Sequence, residues 1–381
     1  MGRPNFIILD VADMESVEFL RGPQGTLFGR NTISGAINLI TVKPKPGFSG
    51  SVLVENGNSG HQKLKVSTNM QITDNIYHRL SLLSFDLDAH QINTSSFAKS
   101  DDIYKDNIGI RYALRALPTP KLTIDLSYDY FSQYNTQMGN HVFDWRFNSD
   151  VPAYNRQRLD SLALELFNNP LYSEDMTYLT DSNGDITDDG NSSYNHDVSG
   201  WSKRLVRSLS LNTIYEINDN MNFVSLIGYR DGDHHYFNDE DGVGLNLLTG
   251  KWTDIGEQKS VELRLESSSD NLSWIGGVYY YNLYETLDAP VFPKPLFLHI
   301  RAGIPMRVAR QFDGVTVHPF GGGTTESIGA FISADYKISH RLMVTGGARY
   351  TQDDKEFTSV SYTHLRAHET LRYLVCRLLL E

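Results

Sequence analysis

Hydrophobic and polar residues alternate along most of the chain downstream of about Phe48. The segment 121–130, KLTIDLSYDY, separates into two sets of alternate positions. The apolar set is Leu122, Ile124, Leu126, Tyr128 and Tyr130, and the polar set is Thr123, Asp125, Ser127 and Asp129. Because successive side chains of a β-strand point to opposite faces, this period predicts strands with one apolar and one polar face. We count about eleven such strands, many of them about 9 to 13 residues long, a length that crosses a bilayer at a tilt.

The predicted connections alternate between short and long. Short polar turns are expected at 73–75, 118–120, 218–220, 269–271 and 339–340, and longer segments at about 91–101, 134–202, 231–253 and 287–324. In an antiparallel meander, alternate connections emerge at the same end of the sheet. Short turns at one end and long loops at the other are typical of an outer-membrane barrel. A soluble sandwich or propeller is the alternative, but it predicts connections of similar length at both ends.

Composition narrows the class of protein further. Apolar residues make up 40% of the chain and its mean hydropathy is -0.36. No apolar run approaches the roughly 18 residues that a spanning helix needs, which excludes a helical membrane protein but not a β membrane protein. The net charge of -12 argues against a nucleic-acid partner. The single cysteine, Cys376, leaves the body of the chain without a disulfide, a zinc cluster or a catalytic thiol.

A glycine-rich segment precedes the alternating region, VEFLRGPQGTLFGRNTISGAINLITVKP at 17–44, and Gly22, Gly25 and Gly29 mark turns in it. A phosphate-binding loop would need G-x-x-x-x-G-K-[ST] or G-x-G-x-x-G at the start of a helix, and neither is present. The segment resembles the end of the plug domain of TonB-dependent outer-membrane receptors. Segments 257–282 and 326–357 are similar to hairpins of that family's barrel. The motif residues that carry the plug resemblance are Gly22, Pro23, Gly25, Gly29, Asn31 and Gly35.

The resemblance implies an all-β fold, namely a partial transmembrane antiparallel β-barrel preceded by the C-terminal part of a plug domain. About 11 of about 22 strands are expected, so the chain is predicted to be a fragment, because an open sheet edge is costly in hydrocarbon. We expect the plug part at 1–46 and the N-terminal half of the barrel at 47–360. No signal peptide is visible near Met1, which indicates either a cytosolic protein or a missing N-terminus. Residues 361–381, SYTHLRAHETLRYLVCRLLLE, abandon the alternation and are expected to be a non-native tail.

The function that the resemblance implies is energised uptake of a scarce ligand, most readily a ferric siderophore, across the outer membrane of a Gram-negative bacterium. The implied partners are the TonB–ExbB–ExbD energy-transducing complex, outer-membrane lipid and the small-molecule ligand. A passive porin-like or structural barrel, and a TonB-dependent receptor for a carbohydrate or another organic ligand, are alternatives. A soluble β-rich binding protein or enzyme is a third class. No catalysis and no cofactor are predicted.

A plug held by polar contacts can be released by a pull, and arginine suits such a latch because its planar fork pairs a carboxylate through two hydrogen bonds. Arg21 and Arg30 are therefore the predicted latch, with Glu262 and Glu266 as the candidate barrel carboxylates. For Arg30 a surface position near a turn is the alternative.

Ligand capture is expected on the long loops, where aromatic and arginine side chains suit an anionic aromatic iron chelate. The candidates are Tyr154, Tyr172, Trp201, Phe297, Arg301 and Arg307. Metal binding is not favoured. Asp181, Asn183 and Asp185 form a weak calcium pattern, because the glycine is fourth rather than sixth and no glutamate is twelfth. For His234 and His235, a solvated acidic loop is favoured over a metal site.

Overall fold

A computed structural model describes residues 13–29, 32–88, 92–93, 105–137, 193–194, 198, 200–240, 247–295, 297–298 and 304–364. Most of these residues lie in strands. The strands are β1 Met14–Arg21, β2 Gly35–Thr41, β3 Ser49–Asn56, β4 Gln62–Thr73, β5 Ile76–Leu87, β6 Ile92–Asn93, β7 Lys105–Thr119, β8 Leu122–Gln137, β9 Ser193–Tyr194, β10 Gly200–Asn218, β11 Met221–Asp239, β12 Leu248–Ser268, β13 Leu272–Asp288, β14 Val291–Pro293, β15 Thr316–Ser339 and β16 Leu342–His364. The helical elements are α1 Gly25–Phe28, α2 Met306–Ala309 and a 3-10 helix Arg310–Phe312. None of the helices in the described ranges has the length and apolar character needed to cross a membrane.

The N-terminal hairpin consists of β1 and β2, which pair antiparallel from Met14 opposite Thr41 to Arg21 opposite Gly35. The connection between them carries α1. Gly35 closes the hairpin with a φ of +145°, and a Cβ at this position would stand 2.4 Å from the backbone oxygen of Leu20. Only glycine accepts both the backbone angle and the close approach.

The large sheet has twelve strands, and eleven of them are long strands that run as an antiparallel meander in chain order from β3 to β16. The twelfth is the short β14, which pairs with β12 and β15. Each long strand is thus hydrogen-bonded to the long strands next to it in the chain. The predicted all-β meander is confirmed for the part of the chain that the structure describes.

The two ends of the large sheet differ. The short connections β4–β5, β7–β8, β10–β11, β12–β13 and β15–β16 meet at one end, here called the turn end, and the remaining connections meet at the loop end. The predicted long loop at 231–253 is wrong, because β11 continues to Asp239 and β12 begins at Leu248. His234 and His235 therefore lie in a strand. Their polar stretch stays extended because both of its neighbours supply a complete ladder of backbone hydrogen bonds.

Strand register separates the large sheet into two faces. One face carries small polar and charged residues such as Ser67, Ser81, Arg111 and Ser127 in neighbouring strands. The other face carries exposed apolar and aromatic residues. Tyr112, Tyr128 and Tyr229 lie there in almost one row, and Tyr215 lies on the same face closer to the turn end. The face split confirms the alternation read from the sequence.

The predicted boundaries compare with the strands as follows. β3 begins at Ser49, close to the expected barrel start at residue 47, and β16 continues past the expected end at residue 360 to His364, which pairs with Thr316. Residues 365–381 of the predicted tail lie outside the described ranges. The expected division into plug, barrel and tail stays a prediction.

Candidate functional site

The N-terminal hairpin lies against the polar face of the large sheet, and this face is called the inner face. Asp13 reaches Arg79 and Ser81 of β5, and Thr41 reaches Arg111 of β7. All of these links join hydrogen-bonding groups. The interface is therefore polar, unlike an ordinary apolar domain core.

Asp13 forms the most buried of these links. Its Oδ2 accepts hydrogen bonds from Arg79 Nε and from Ser81 Oγ, the latter at 2.9 Å, and both charged side chains are 12% exposed. Ser81 Oγ also lies 3.0 Å from Ser67 Oγ. Burial of the Asp13 carboxyl opposes its ionisation, but the hydrogen bonds from Arg79 and Ser81 outweigh that effect and hold its pKa below the usual range. Asp13 is thus a carboxylate fixed on the inner face.

Two further arginines organise the inner face beside the hairpin. Arg111 Nη2 donates to Thr41 Oγ1 at 2.8 Å, while its Nη1 bonds Asp129 of β8. Arg115 binds Asp125 through two hydrogen bonds of 2.6 and 2.8 Å. Lys43, just after the hairpin, approaches Asp125 to 3.7 Å. Arg111 and Asp125 therefore contact the end of the hairpin while each keeps its ion-pair partner within the sheet.

The linker from the hairpin to β3 is held by Asn69 of β4, whose side chain is fully buried. Its Nδ2 donates to the carbonyls of Lys45 at 2.9 Å and Gly47 at 3.1 Å, and its Oδ1 accepts from the Lys45 N–H at 3.0 Å. Gln71 Oε1 accepts from the Gly47 N–H at 3.0 Å. A single amide thus satisfies three backbone groups that no strand ladder supplies.

The predicted latch residues are placed differently. Arg21 ends β1 and is exposed, and no ion pair joins it to Glu262 or Glu266. Both glutamates instead accept hydrogen bonds from Arg264 of their own strand, at 2.9 and 2.7 Å. Arg30 and Asn31 lie outside the described residues. The Arg21 and Arg30 latch stays a prediction, whereas the charged links observed beside the hairpin are Asp13 with Arg79 and, at a longer distance, Lys43 with Asp125.

Near the loop end, the inner face carries a second group of side chains, here called the loop-end wall: Ser202 and Arg204 of β10, His234 and Tyr236 of β11, and Trp252 and Asp254 of β12. The rings of Tyr236 and Trp252 stack with centroids 4.8 Å apart and 6° between their planes. His234 is buried, with Nε2 2.8 Å from Ser202 Oγ and Nδ1 3.8 Å from Asp254 Oδ2. The wall combines a flat aromatic surface with hydrogen-bonding groups.

Arg204 distinguishes this wall. Its Nε is buried and has no hydrogen-bond partner, and no ion pair joins it to a carboxylate of the described strands. Arg207, three positions along the same strand, is exposed and bound to Asp231 on the opposite face. A partly buried guanidinium without a neutralising carboxylate is costly unless an anion is recruited. The sequence signal that could have found Arg204 is its position in the polar set of β10.

The predicted ligand residues are only partly described. Trp201 lies in β10 rather than in a loop, next to Ser202 and therefore on the opposite face from the loop-end wall. Phe297 is partly buried in the connection after β14, and Arg307 is exposed on α2. Tyr154, Tyr172 and Arg301 lie outside the described ranges, as do Asp181, Asn183 and Asp185 of the calcium pattern. Across the described positions, no three His, Cys, Asp or Glu side chains form a metal-binding group.

Comparison with known proteins gives relatives of one kind. No family model matches the chain. The pesticin receptors of Yersinia pestis and Yersinia enterocolitica are 35% identical to it over 96 residues, which is 24% of this chain and 14% of each receptor. The similarity in sequence thus covers a short part of both proteins.

Solved structures match nearly the whole chain. The ferric yersiniabactin uptake receptor of Yersinia pestis is 18% identical, with a TM-score of 0.63 over 92% of this chain and 48% of that one. The ferripyoverdine receptor of Pseudomonas aeruginosa has a TM-score of 0.63 over 93% and 43%, at 14% identity. The ferric-catecholate import receptor Fiu of E. coli has a TM-score of 0.53 over 93% and 58%, at 13% identity. The chain spans about half the length of these receptors.

These neighbours are TonB-dependent siderophore receptors, so the resemblance read from the sequence is confirmed. The fold is likewise confirmed as an antiparallel sheet of barrel-like strands that matches about half the length of these receptor barrels.

Proposed function

We propose that this chain is part of a TonB-dependent outer-membrane receptor that imports a ferric siderophore. The observation that carries the proposal is the N-terminal hairpin, seated on the polar inner face of an antiparallel meander whose other face is apolar and exposed. An apolar outward face with a polar interior suits a barrel in lipid. A hairpin on that polar interior suits a plug. The receptors named above support the same assignment for the fold.

The outward face fits a lipid environment in detail. Tyr128 and Tyr229 flank Leu209 in one row, and Tyr215 lies six positions further along β10 towards the turn end, which is about 20 Å at 3.3 Å per residue. Aromatic side chains at two levels, with apolar residues between them, are typical of the girdles at the two membrane interfaces. The location we propose is the outer membrane of a Gram-negative bacterium, with the turn end in the periplasm.

Opening of the barrel requires the plug to move. The Asp13 and Thr41 links are hydrogen bonds that water can replace, so releasing them costs less than exposing an apolar core of similar size. The TonB–ExbB–ExbD complex is the proposed source of the pull. In this scheme Asp13 and Arg79 form a plug-to-barrel latch, to which Arg21 and Arg30 are added as predicted members.

The loop-end wall is the proposed ligand surface. The stacked Tyr236 and Trp252 offer a flat aromatic face, and Arg204 offers an unneutralised cation. Ferric siderophores with aromatic iron-binding groups and a net negative charge fit both features. A carbohydrate would use the aromatic stack and would leave Arg204 without an anion, so Arg204 favours the siderophore.

The test uses the receptor expressed from its complete reading frame in an outer membrane that lacks other siderophore receptors. Radiolabelled iron is presented on a panel of catecholate, phenolate and hydroxamate siderophores. We expect TonB-dependent uptake of at least one anionic chelate, and Arg204→Ala is expected to weaken its binding by about tenfold or more, as for loss of one charge-assisted hydrogen bond. Arg207→Ala is the matched control, since it removes a guanidinium from the same strand but from the opposite face.

The outcomes separate the classes of protein. Uptake of a labelled oligosaccharide that needs Trp252 and ignores Arg204 would identify a carbohydrate receptor. Diffusive entry of small solutes, independent of TonB and unaffected by either arginine, would identify a passive barrel. We assign no catalytic step to the chain.

A further inference from the structure

Helix α1 of the N-terminal hairpin lies against the wall formed by β15 and β16. At this contact the strand β16 carries a glycine, Gly347, and so has no side chain. A Cβ added to Gly347 of β16 would stand 2.8 Å from Thr26 Cγ2 and 3.1 Å from the backbone oxygen of Ile332. Only a glycine at 347 therefore lets Thr26 approach the strand so closely. This contact is on the inner face, far along the chain from the Asp13 link.

Arg349 lies two residues beyond Gly347, on the same face of β16. Its guanidinium carbon is 5.8 Å from the ring centroid of Tyr279 and 5.4 Å from that of Phe331, and its Nε donates to Thr351 Oγ1 at 3.0 Å. The guanidinium therefore has a fixed place on the barrel wall through two aromatic rings.

The hairpin meets this guanidinium at Gly29, the residue that ends α1. A Cβ at Gly29 would stand 3.3 Å from Arg349 Nη2, and a Cβ at Gly329 of β15 would stand 2.9 Å from the same atom. Glycines on both sides thus bring backbone, rather than side chains, up to the cation. No carboxylate of the described strands forms an ion pair with Arg349, so its charge is not neutralised within the wall.

The end of α1 is where a cation is most useful. The last carbonyls of this single-turn helix lack helical donors. Arg349 has donors to spare beside that end, since among the bonds given above only its Nε has a hydrogen-bond acceptor. The arrangement differs from the Asp13 latch, because the charge stays on the barrel and the plug offers backbone only.

We propose that Arg349 is a positioning residue that seats the plug loop Gly25–Gly29 on the barrel wall and keeps the lumen closed in the resting receptor. The inference rests on the proposed function, in which the plug closes a barrel. Arg349 touches no ligand in this scheme. Its contribution is the position of the plug.

The first test measures leakage through the resting receptor, expressed from its complete reading frame. Entry of vancomycin, which is too bulky for ordinary porins, is compared between the unmodified receptor and Arg349→Ala. We expect the variant to raise entry about tenfold, as for a closed state that loses one cation–π-anchored contact. Arg349→Lys keeps the charge but not the planar stack, and is expected to fall between the two. Arg207→Ala is the matched control, because its guanidinium binds Asp231 on the face of the sheet opposite the plug.

The second test distinguishes positioning from general weakening of the barrel. Thr26→Cys and Gly347→Cys place a thiol on each side of this contact, where a Cβ at 347 would lie 2.8 Å from Thr26 Cγ2, so that a disulfide would replace the close approach by a covalent bond. Adding this pair to Arg349→Ala is expected to suppress the leak when the disulfide forms and to restore it after reduction. A barrel that was merely destabilised would leak in both redox states.

Equal vancomycin entry for the unmodified receptor and Arg349→Ala, at equal amounts of folded receptor in the membrane, would overturn the proposal. So would a leak that persists after quantitative disulfide formation. Neither measurement needs a siderophore. Failure of the proposed function would instead appear as absent iron uptake in a receptor whose vancomycin entry still depends on Arg349.

Discussion

Asp13→Ala is the substitution that tests the latch most directly. The change removes the carboxylate that joins the N-terminal hairpin to β5 and leaves the guanidinium of Arg79 without it. Ser81 keeps a second partner, since its Oγ lies 3.0 Å from that of Ser67. The loss is therefore concentrated on one charged pair.

The magnitude follows from burial and from the two hydrogen bonds that Asp13 accepts. An exposed ion pair is worth about 0 to 1 kcal/mol, whereas removal of one member of a buried pair costs about 3 to 5 kcal/mol. With both side chains 12% exposed, we expect a value near the lower end of the buried range, about 3 kcal/mol. This corresponds to an increase of about 100-fold in the population of the detached hairpin.

Native-state hydrogen exchange of the full receptor reports that population. A detached two-stranded hairpin is marginal on its own, so the β1 and β2 amides should exchange once it leaves the wall. We expect their exchange to accelerate about 100-fold in Asp13→Ala, and a cycle with Arg79→Ala should give a coupling of about 2 kcal/mol. Glu18→Ala is the control, because Glu18 accepts an exposed hydrogen bond from Asn38 within the hairpin.

A coupling energy near zero would refute the reasoning. So would an equal acceleration in Glu18→Ala, because the effect would then belong to the hairpin and not to its attachment.

The remaining predictions concern the same interface. Because the pKa of Asp13 is lowered, its contribution to the free energy of unfolding is fully present above the usual carboxyl pKa of about 3.9 and is lost as the pH falls through the lowered value. Calorimetry of the receptor should show this loss of stability in acid, and Asp13→Asn should abolish it. Gly35→Ala should destabilise the hairpin by about 2 kcal/mol or more, because its Cβ would meet the Leu20 oxygen, and exchange of the β1 amides measures this loss. As the control, Gly25→Ala should be close to neutral, because its Cβ would meet nothing within 4 Å. Asn69→Ala leaves three backbone groups of the linker without partners and should speed hydrogen exchange of the Lys45 amide about tenfold or more, while Gln71→Ala, with one exposed hydrogen bond, should change that rate little.

The sequence predicted the strands well because alternation is a local property that each segment displays by itself. It failed at 231–239, where acidic and histidine residues replace the apolar set and the stretch resembles a loop. Those residues remain in a strand because β10 and β12 extend beside them, and pairing over such a distance is not visible in a window of a few residues. The loop-end wall was missed for the same reason.

The latch shows a different limit. A motif drew attention to Arg21 and Arg30, but the carboxylate that joins the hairpin to Arg79 on the inner face is Asp13, which precedes β1 and belongs to no recognised pattern. Its partner Arg79 lies 66 residues away, in a strand with several polar positions. Glu262 and Glu266 were plausible carboxylates, yet Arg264 between them takes both through contacts of its own strand. Charge complementarity in sequence does not decide which of several neighbours is near enough to pair.

The two ends of the N-terminal hairpin lie side by side, since the N–H of Val42 donates to the carbonyl of Asp13 at 2.8 Å. A force applied before Asp13 and resisted after Val42 therefore opens the ladder like a zipper, loading one pair of residues at a time from Met14 opposite Thr41 onwards. The load is never shared along the whole strand, as it would be if the strands were drawn past each other. A hairpin that resists thermal opening through its attachment to the barrel is thus mechanically compliant in the direction of a pull.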